Sequence, residues 1–367
     1  MIYLDHAATT PPDERVAEAM SACMRGMWHN PGAAYSAADG PRLALRRARQ
    51  ALAAMLNAEP QEILFTSGGT EGNNQAMALA RGGHAVIGAI EHASVLNAAK
   101  RAGCEVTLVP PDASGVVSAE AVGRALRGDT RLVCVQLANN ETGVLQPVRE
   151  IGALARAARV PFLCDAVQAF GRVPVDVKAM NIDLLTLSAH KFYGPRGAGC
   201  LYARQGVPLI PLIDGGGQEF GLRSGTENVP AVEGMRVAAE LAAADMAAEA
   251  DRERGRIARF VERLTALVPG CRLLGADAPR LPGLAAVFLP GLPSEQAVAD
   301  LDLMGIAVSG GAACSARGGA SHVYRAMGLC DADARCVLRF SIGRGTSEGD
   351  LSAAAEAVAQ VYRRRAN

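Results

Sequence analysis

Between residues 62 and 203 short apolar runs alternate with helical segments, and small or chain-breaking residues separate them. Ile63-Leu64-Phe65-Thr66, Val86–Ile90, Val106–Val109, Arg131–Ala138, Phe162-Leu163-Cys164 and Leu184–Leu187 predict strands, with Gly199-Cys200-Leu201-Tyr202 as a returning one. Helices are predicted between them over Asn74–Ala80, Ser94–Ala102, Ala119–Leu126 and Val148–Ala158. The last of these places Val148, Ile151, Leu154 and Ala155 on one face. Upstream, a helix is expected from Asp13, an N-cap with Glu14 in the first turn, and an Arg-studded helix over Arg42–Leu56. This alternation predicts an α/β fold with a largely parallel sheet covered on both faces.

After Pro230 the pattern becomes a long Ala/Glu/Arg tract to about Leu267, read as a helical connector. The remainder reads as a smaller α+β unit with strands at Leu284–Leu289, Ala307-Val308 and Leu338–Ser341. The expected division is a large unit over 13–248 and a small one made of 1–12 and 249–367. At 367 residues the chain has room for two such units.

Composition narrows the function classes. Charges balance at 37 basic and 37 acidic residues, against nucleic acid or an anionic membrane surface as the main partner. No apolar run approaches the roughly 18 residues of a membrane span, and the N-terminus does not read as a secretory signal. The nine cysteines are scattered without a Cys-x-x-Cys pair, so neither a zinc site nor a disulfide framework is implied, and a reducing cytoplasm is expected. Cys134 and Cys164 sit inside apolar runs and read as buried small hydrophobes.

Six stretches bear on chemistry. The chain has three lysines, Lys100, Lys178 and Lys191, and otherwise carries its positive charge on arginine. Lys191 follows a buried-strand run and precedes Gly194-Pro195. A desolvated lysine there can lose its proton and act as a base or imine-forming amine, which arginine cannot. A surface lysine in a loop satisfies the position equally well. Ser67-Gly68-Gly69-Thr70 turns a strand into a helix and exposes N–H groups to a phosphate, or is a plain tight turn. His92 stands just past a strand end, as a catalytic imidazole or a helix cap. Asn139-Asn140-Glu141 suits a carboxylate or ring oxygen, or simply builds a turn. Asp165, ending an apolar strand with Gln168 close behind, needs a cationic or N–H partner, either a protonated ring nitrogen or an arginine. Cys314 lies in the Gly-rich run Ser309–Ala320 with Arg317 near to favour thiolate, as a nucleophile that must move or an incidental loop cysteine.

Together an amine, an acid, an imidazole and a phosphate turn are the parts that pyridoxal phosphate (PLP) needs, with no metal and no nicotinamide fingerprint. The segments YLDHAATTPP, FTSGGTEGNN, EHASVLNAAK, NNETGV, CDAVQAFG, SAHKFYGPRGAG, RSGTENV, GGAACSA and LRFSIGR follow one another in order over nearly the whole chain. In these the sequence resembles the cysteine desulfurases of the NifS/IscS type, in the class V aminotransferase group of fold-type I PLP enzymes. The resemblance implies a mainly parallel seven-stranded sheet in the large unit and the cysteine loop in the small one. It implies that Lys191 holds PLP as an imine, Asp165 pairs with the ring nitrogen, Gln168 bonds the ring oxygen and His92 stacks on the ring. Gly69, Thr70, Ser188 and His190 would hold the phosphate, with Thr226 from the neighbouring subunit of a homodimer. Asn140 and Arg339 would bind the carboxylate of L-cysteine. Cys314 would take the sulfur as a persulfide, release alanine and pass the sulfur to an acceptor, either an iron–sulfur scaffold or a sulfur-relay protein. No membrane and no direct nucleic-acid contact is expected.

Three departures from the family pattern stand out. The stretch after Cys314, Ser315–His322, is about one residue shorter and lacks a proline before its second serine. Asn30–Ser36 lacks the Ser and His usual there, and the chain stops at Asn367 without the tail some members use for scaffold docking. Other readings are a different class V enzyme, such as a selenocysteine lyase or an aminotransferase, and a non-catalytic scaffold subunit. Cys314 argues against an aminotransferase, and Lys191, Asp165 and His92 argue against a scaffold.

Overall fold

The computed structural model describes residues 1–311 and 319–365. Cys314 lies outside the described residues. β1 (Ile2–Tyr3) opens the chain, followed by α1 (Glu14–Gly26) and α2 (Asp39–Leu56). Asp13 caps α1, its carboxylate accepting the Arg15 N–H at 3.1 Å.

β2 (Ile63–Thr66), β3 (His84–Gly88), β4 (Glu105–Val109), β5 (Thr130–Cys134), β6 (Phe162–Asp165), β7 (Leu184–Ser188) and β8 (Gly199–Ala203) build one sheet. Its order is β2-β8-β7-β6-β5-β3-β4, parallel except that β8 runs antiparallel to both β7 and β2. The helices between these strands are α3 (Gly69–Met77), α4 (Ala93–Ala102), α5 (Ala119–Ala125) and α6 (Val148–Ala157). Period-two alternation divides the strands between two cores. Ile63, Phe65 and Val86 face the core shared with α1, α2 and α6, whereas Leu64, Ala85 and Ile87 face α3 and α4. Cys134 and Cys164 are fully buried, as expected of small apolar residues.

Several boundaries differ from the sequence reading, each for a local reason. β3 begins at His84, because that buried imidazole is satisfied by Thr130 Oγ1 and Thr107 Oγ1, both at 2.8 Å. β5 stops at Cys134, since the Gln136 N–H turns to Glu91 Oε1 at 2.7 Å. α3 starts at Gly69 rather than Asn74, its first turns carrying glycine and polar residues that give no apolar stripe. Leu154 of α6 is exposed instead of sharing the buried face of Val148, Ile151 and Ala155.

The Ala-rich tract is a single 39-residue helix, α7 (Val229–Leu267). Its first half buries Val232, Met235 and Ala239 in the main core, and its second half buries Ile257, Phe260 and Leu264 in a separate one. That second core is built with β9 (Arg272–Leu273), β10 (Leu284–Phe288), α8 (Ser294–Leu303), β11 (Ile306–Ala307), β12 (Val337–Ser341) and α11 (Glu348–Arg365), with α9 (His322–Ala326) and α10 (Asp331–Ala334) preceding β12. β10 pairs antiparallel with β9 and β12, while N-terminal β1 pairs with β11.

One glycine couples sheet to site. A Cβ on Gly199 of β8 would lie 2.5 Å from Gly68 Cα and 2.6 Å from Leu187 O, both backbone atoms. Gly199→Ala therefore pushes the 67–70 turn off the sheet. The expected cost is about 3 kcal/mol, read as a lower urea midpoint, the upper range for overpacking a rigid contact.

Candidate active site

Because β2 to β7 run mostly in one direction, the residues leaving their C-terminal ends meet on one edge of the sheet. A cavity of about 460 Å³ lies there. Gly69, Thr70, His92, Asn140, Asp165, Gln168, Ser188, His190, Lys191 and Arg339 all line it. Thr226 does not line this cavity and is exposed on the loop before α7.

Lys191 ends the short turn Ala189–Lys191 that follows β7. Its Nζ donates to the carbonyls of Ala7 and Ala8, both at 2.7 Å. Burial, reinforced by the Arg339 and Arg172 guanidinium charges, lowers the amine from 10.5 to about 8. A substantial neutral fraction is thus present near physiological pH.

Asp165 ends β6, with Oδ2 accepting from Asn73 Nδ2 at 2.8 Å and Oδ1 from the Val167 N–H at 2.9 Å. Among the described residues no arginine pairs with it. His92 takes the helix-cap role and also faces the cavity. It caps α4, Nδ1 accepting the Ser94 N–H at 3.1 Å, and its ring lines the cavity. Burial lowers its pKa, against an opposing pull from Asp165, and in the neutral ring the Nδ1 contact leaves the proton on Nε2. Asn139 serves as a turn residue, its Oδ1 taking the Glu141 and Thr142 N–H groups, while neighbouring Asn140 faces the cavity.

Gln168 Nε2 donates to Ala7 O at 2.9 Å, and its Oε1 is buried without a partner among the described residues. Gly69 opens α3 against Val167, and a Cβ there would stand 2.5 Å from Val167 Cγ2. Ser188 ends β7, and His190 meets Thr9 Oγ1 at 3.0 Å, with burial and the Lys191 charge lowering its imidazole to about 4. Arg339, in the middle of β12, is buried and donates to Asn140 O at 2.8 Å.

Two cavity residues, Asn73 and His322, escaped the sequence reading, and Glu141 stood there only as part of a polar run. Asn73 anchors Asp165 and accepts from Thr186 Oγ1 at 2.8 Å. Its signal was a polar residue in a helix that must cover a sheet. Glu141 is buried at the cavity wall, and burial raises its carboxyl. His322 opens α9 and lines the cavity with its Nε2 3.0 Å from Glu91 O, an acceptor, so that nitrogen carries the proton. His322 did not stand out from its neighbours in sequence.

The class V aminotransferase model matches residues 2–353. The chain is 41% identical to "Putative cysteine desulfurase IscS 1" of Bacillus subtilis strain 168, over 99% of both chains. It is 39% identical to "Cysteine desulfurase IscS" of Clostridium botulinum strain Hall, over 99% of this chain and 95% of that one. Among solved structures, the NifS-like protein from Rickettsia africae superposes with a TM-score of 0.92 at 32% identity, over 99% of both chains. "SspA in complex with cysteine" gives 0.83 at 36%, over 94% of this chain and 99% of that one. The chain belongs to the class V aminotransferase family. Within that family its place is among the cysteine desulfurases.

Proposed function

We propose that the protein removes sulfur from L-cysteine with the help of PLP, giving L-alanine and a persulfide on Cys314. The observation that carries this reading is the Lys191 amine, buried and partly neutral, in one cavity with Asp165, His92 and Gln168. The residues present fit PLP: a carboxylate without a cationic partner among the described residues, an unpartnered Gln168 Oε1, and the α3 N-terminus at Gly69 and Thr70. Lys191 would hold it covalently, Asp165 at the ring nitrogen, Gln168 at the ring oxygen and His92 at the ring face. Gly69, Thr70, Ser188 and His190 would hold the phosphate, with Thr226 from a second copy in a homodimer. When bound, PLP supplies the electron sink for the pair left on the substrate α-carbon.

The remaining chemistry belongs to the chain. Arg339 and Asn140 hold the substrate carboxylate, and Lys191 takes the α-proton once its amine is free. The Cys314 thiolate attacks the substrate sulfur. An S–S bond forms, the C–S bond breaks with its pair going to the β-carbon, and that carbon takes a proton. In sum the enzyme thiol and L-cysteine become the enzyme persulfide and L-alanine.

Supplying L-cysteine to the purified protein with a thiol reductant is expected to yield alanine and sulfide in equal amounts. Pyruvate or a transaminated product in place of alanine would contradict the reading. Lys191 also predicts a pH dependence. Below about 8 its amine is charged and unreactive, and above it neutral. Competitive acetylation of the cofactor-free protein, followed by peptide mass spectrometry, should give Lys191 a midpoint near 8. A Lys191 midpoint at the ordinary lysine value of 10.5 would contradict this.

The division at 248/249 cuts α7 between Ala242 and Glu253, a span contributing no buried residue, which supports treating 13–248 and 1–12 with 249–367 as two units. The persulfide would be handed to an acceptor protein, an iron–sulfur scaffold or a sulfur-relay protein. The eight described cysteines are all free, and no helix among the described residues is long and apolar enough to cross a membrane.

A further inference from the structure

The geometry assigns Asp5 as the positioning residue that aims the Arg339 guanidinium at the substrate carboxylate. The assignment rests on the proposed role of Arg339 as the carboxylate-binding group. Arg339 is only 2% exposed, so its charge needs a fixed partner. Asp5 supplies it, Oδ1 accepting from Nη2 at 2.6 Å. Nη1 donates to Asn140 O at 2.8 Å, and Nε is buried without a partner among the described residues. A guanidinium is a rigid planar fork, so fixing two of its nitrogens sets the direction of every remaining N–H. The free Nη hydrogens are then the donors left for an incoming carboxylate at the cavity wall.

Asp5 can do this because its backbone is tied to the strand that carries Arg339. Asp5 bridges Ser341, two residues further along β12. The Ala7 N–H donates to Ser341 Oγ at 2.8 Å, and Tyr3 Oη donates to Asp5 O at 3.0 Å. The same N-terminal strap offers Ala7 O to both Gln168 Nε2 and Lys191 Nζ. One short segment therefore sets the Arg339 fork and the Lys191 amine against each other, fixing where a substrate held at its carboxylate presents its α-carbon.

The test is a double-mutant cycle with Asp5→Asn, Arg339→Ala and the pair, using Asp5→Glu as the conservative rescue. KM and kcat for L-cysteine are measured on the full protein, and L-alanine binding by calorimetry supplies a readout apart from turnover. Asp5→Asn is expected to raise KM and weaken L-alanine binding by about tenfold, with kcat within about twofold of the parent. Asp5→Glu should recover most of this. In the Arg339→Ala background Asp5→Asn should have no further effect, because it acts through the group already removed. If Arg339→Ala itself leaves KM and L-alanine binding unchanged, the carboxylate reading of Arg339 falls. If Arg339→Ala weakens binding but Asp5→Asn does not, or if Asp5→Asn adds its full effect to Arg339→Ala, the positioning role of Asp5 is overturned.

Discussion

Lys191→Ala is expected to lower L-cysteine turnover by about a thousandfold or more, the range for removing a group that serves as both covalent anchor and proton acceptor. The fold should survive, because Lys191 ends a short turn closed by backbone bonds: Phe192 N–H and Gly194 N–H both reach Ala189 O, at 3.1 and 2.9 Å. The Ala7 and Ala8 carbonyls lose a shared donor, and Ala7 O keeps Gln168. Lys191→Arg separates charge from chemistry. It can restore hydrogen bonds to the strap but cannot shed a proton near pH 8, so its activity should stay close to that of the alanine variant. Near-parental turnover by either variant, followed as alanine release, would remove Lys191 from the mechanism.

The second large effect belongs to Cys314. Cys314→Ala should abolish sulfide release from L-cysteine, again by about a thousandfold or more, since the sulfur has no other nucleophile poised for it. None of the described cysteines lines the cavity. Cys134, Cys164 and Cys200 are fully buried in the sheet, where burial raises their thiols and favours the unreactive form. L-Alanine binding should be unaffected, because Arg339, Asn140 and Lys191 remain in place. That contrast between lost sulfide and retained binding distinguishes a missing nucleophile from a damaged cavity.

The sheet was legible because most of its strands are short apolar runs ended by a turn, and burial on both faces leaves the inner ones little room for polar residues. Even the reversed β8 could be read, from Gly199–Tyr202 returning after Gly194-Pro195. Residues directly past strand ends were legible for the same reason, and Asp165, His92, Ser188 and Lys191 meet in the cavity. What sequence could not convey was contact made by backbone or across great sequence distance. The Ala7 and Ala8 carbonyls that hold Lys191 belong to residues without functional groups. Asp5 and Arg339 are 334 positions apart, and only the pairing of the N-terminus with β11 and β12 joins them. Asn73 was hidden inside a helix that lacks an apolar stripe.

The most direct test of the central claim is mass spectrometry of the peptide containing Cys314 after one equivalent of L-cysteine without reductant. The account predicts that this peptide gains the mass of one sulfur atom as alanine is released, and that the other cysteine-containing peptides do not. Alanine released at the normal rate with the Cys314 peptide unmodified, or the added sulfur found on another cysteine, would contradict it.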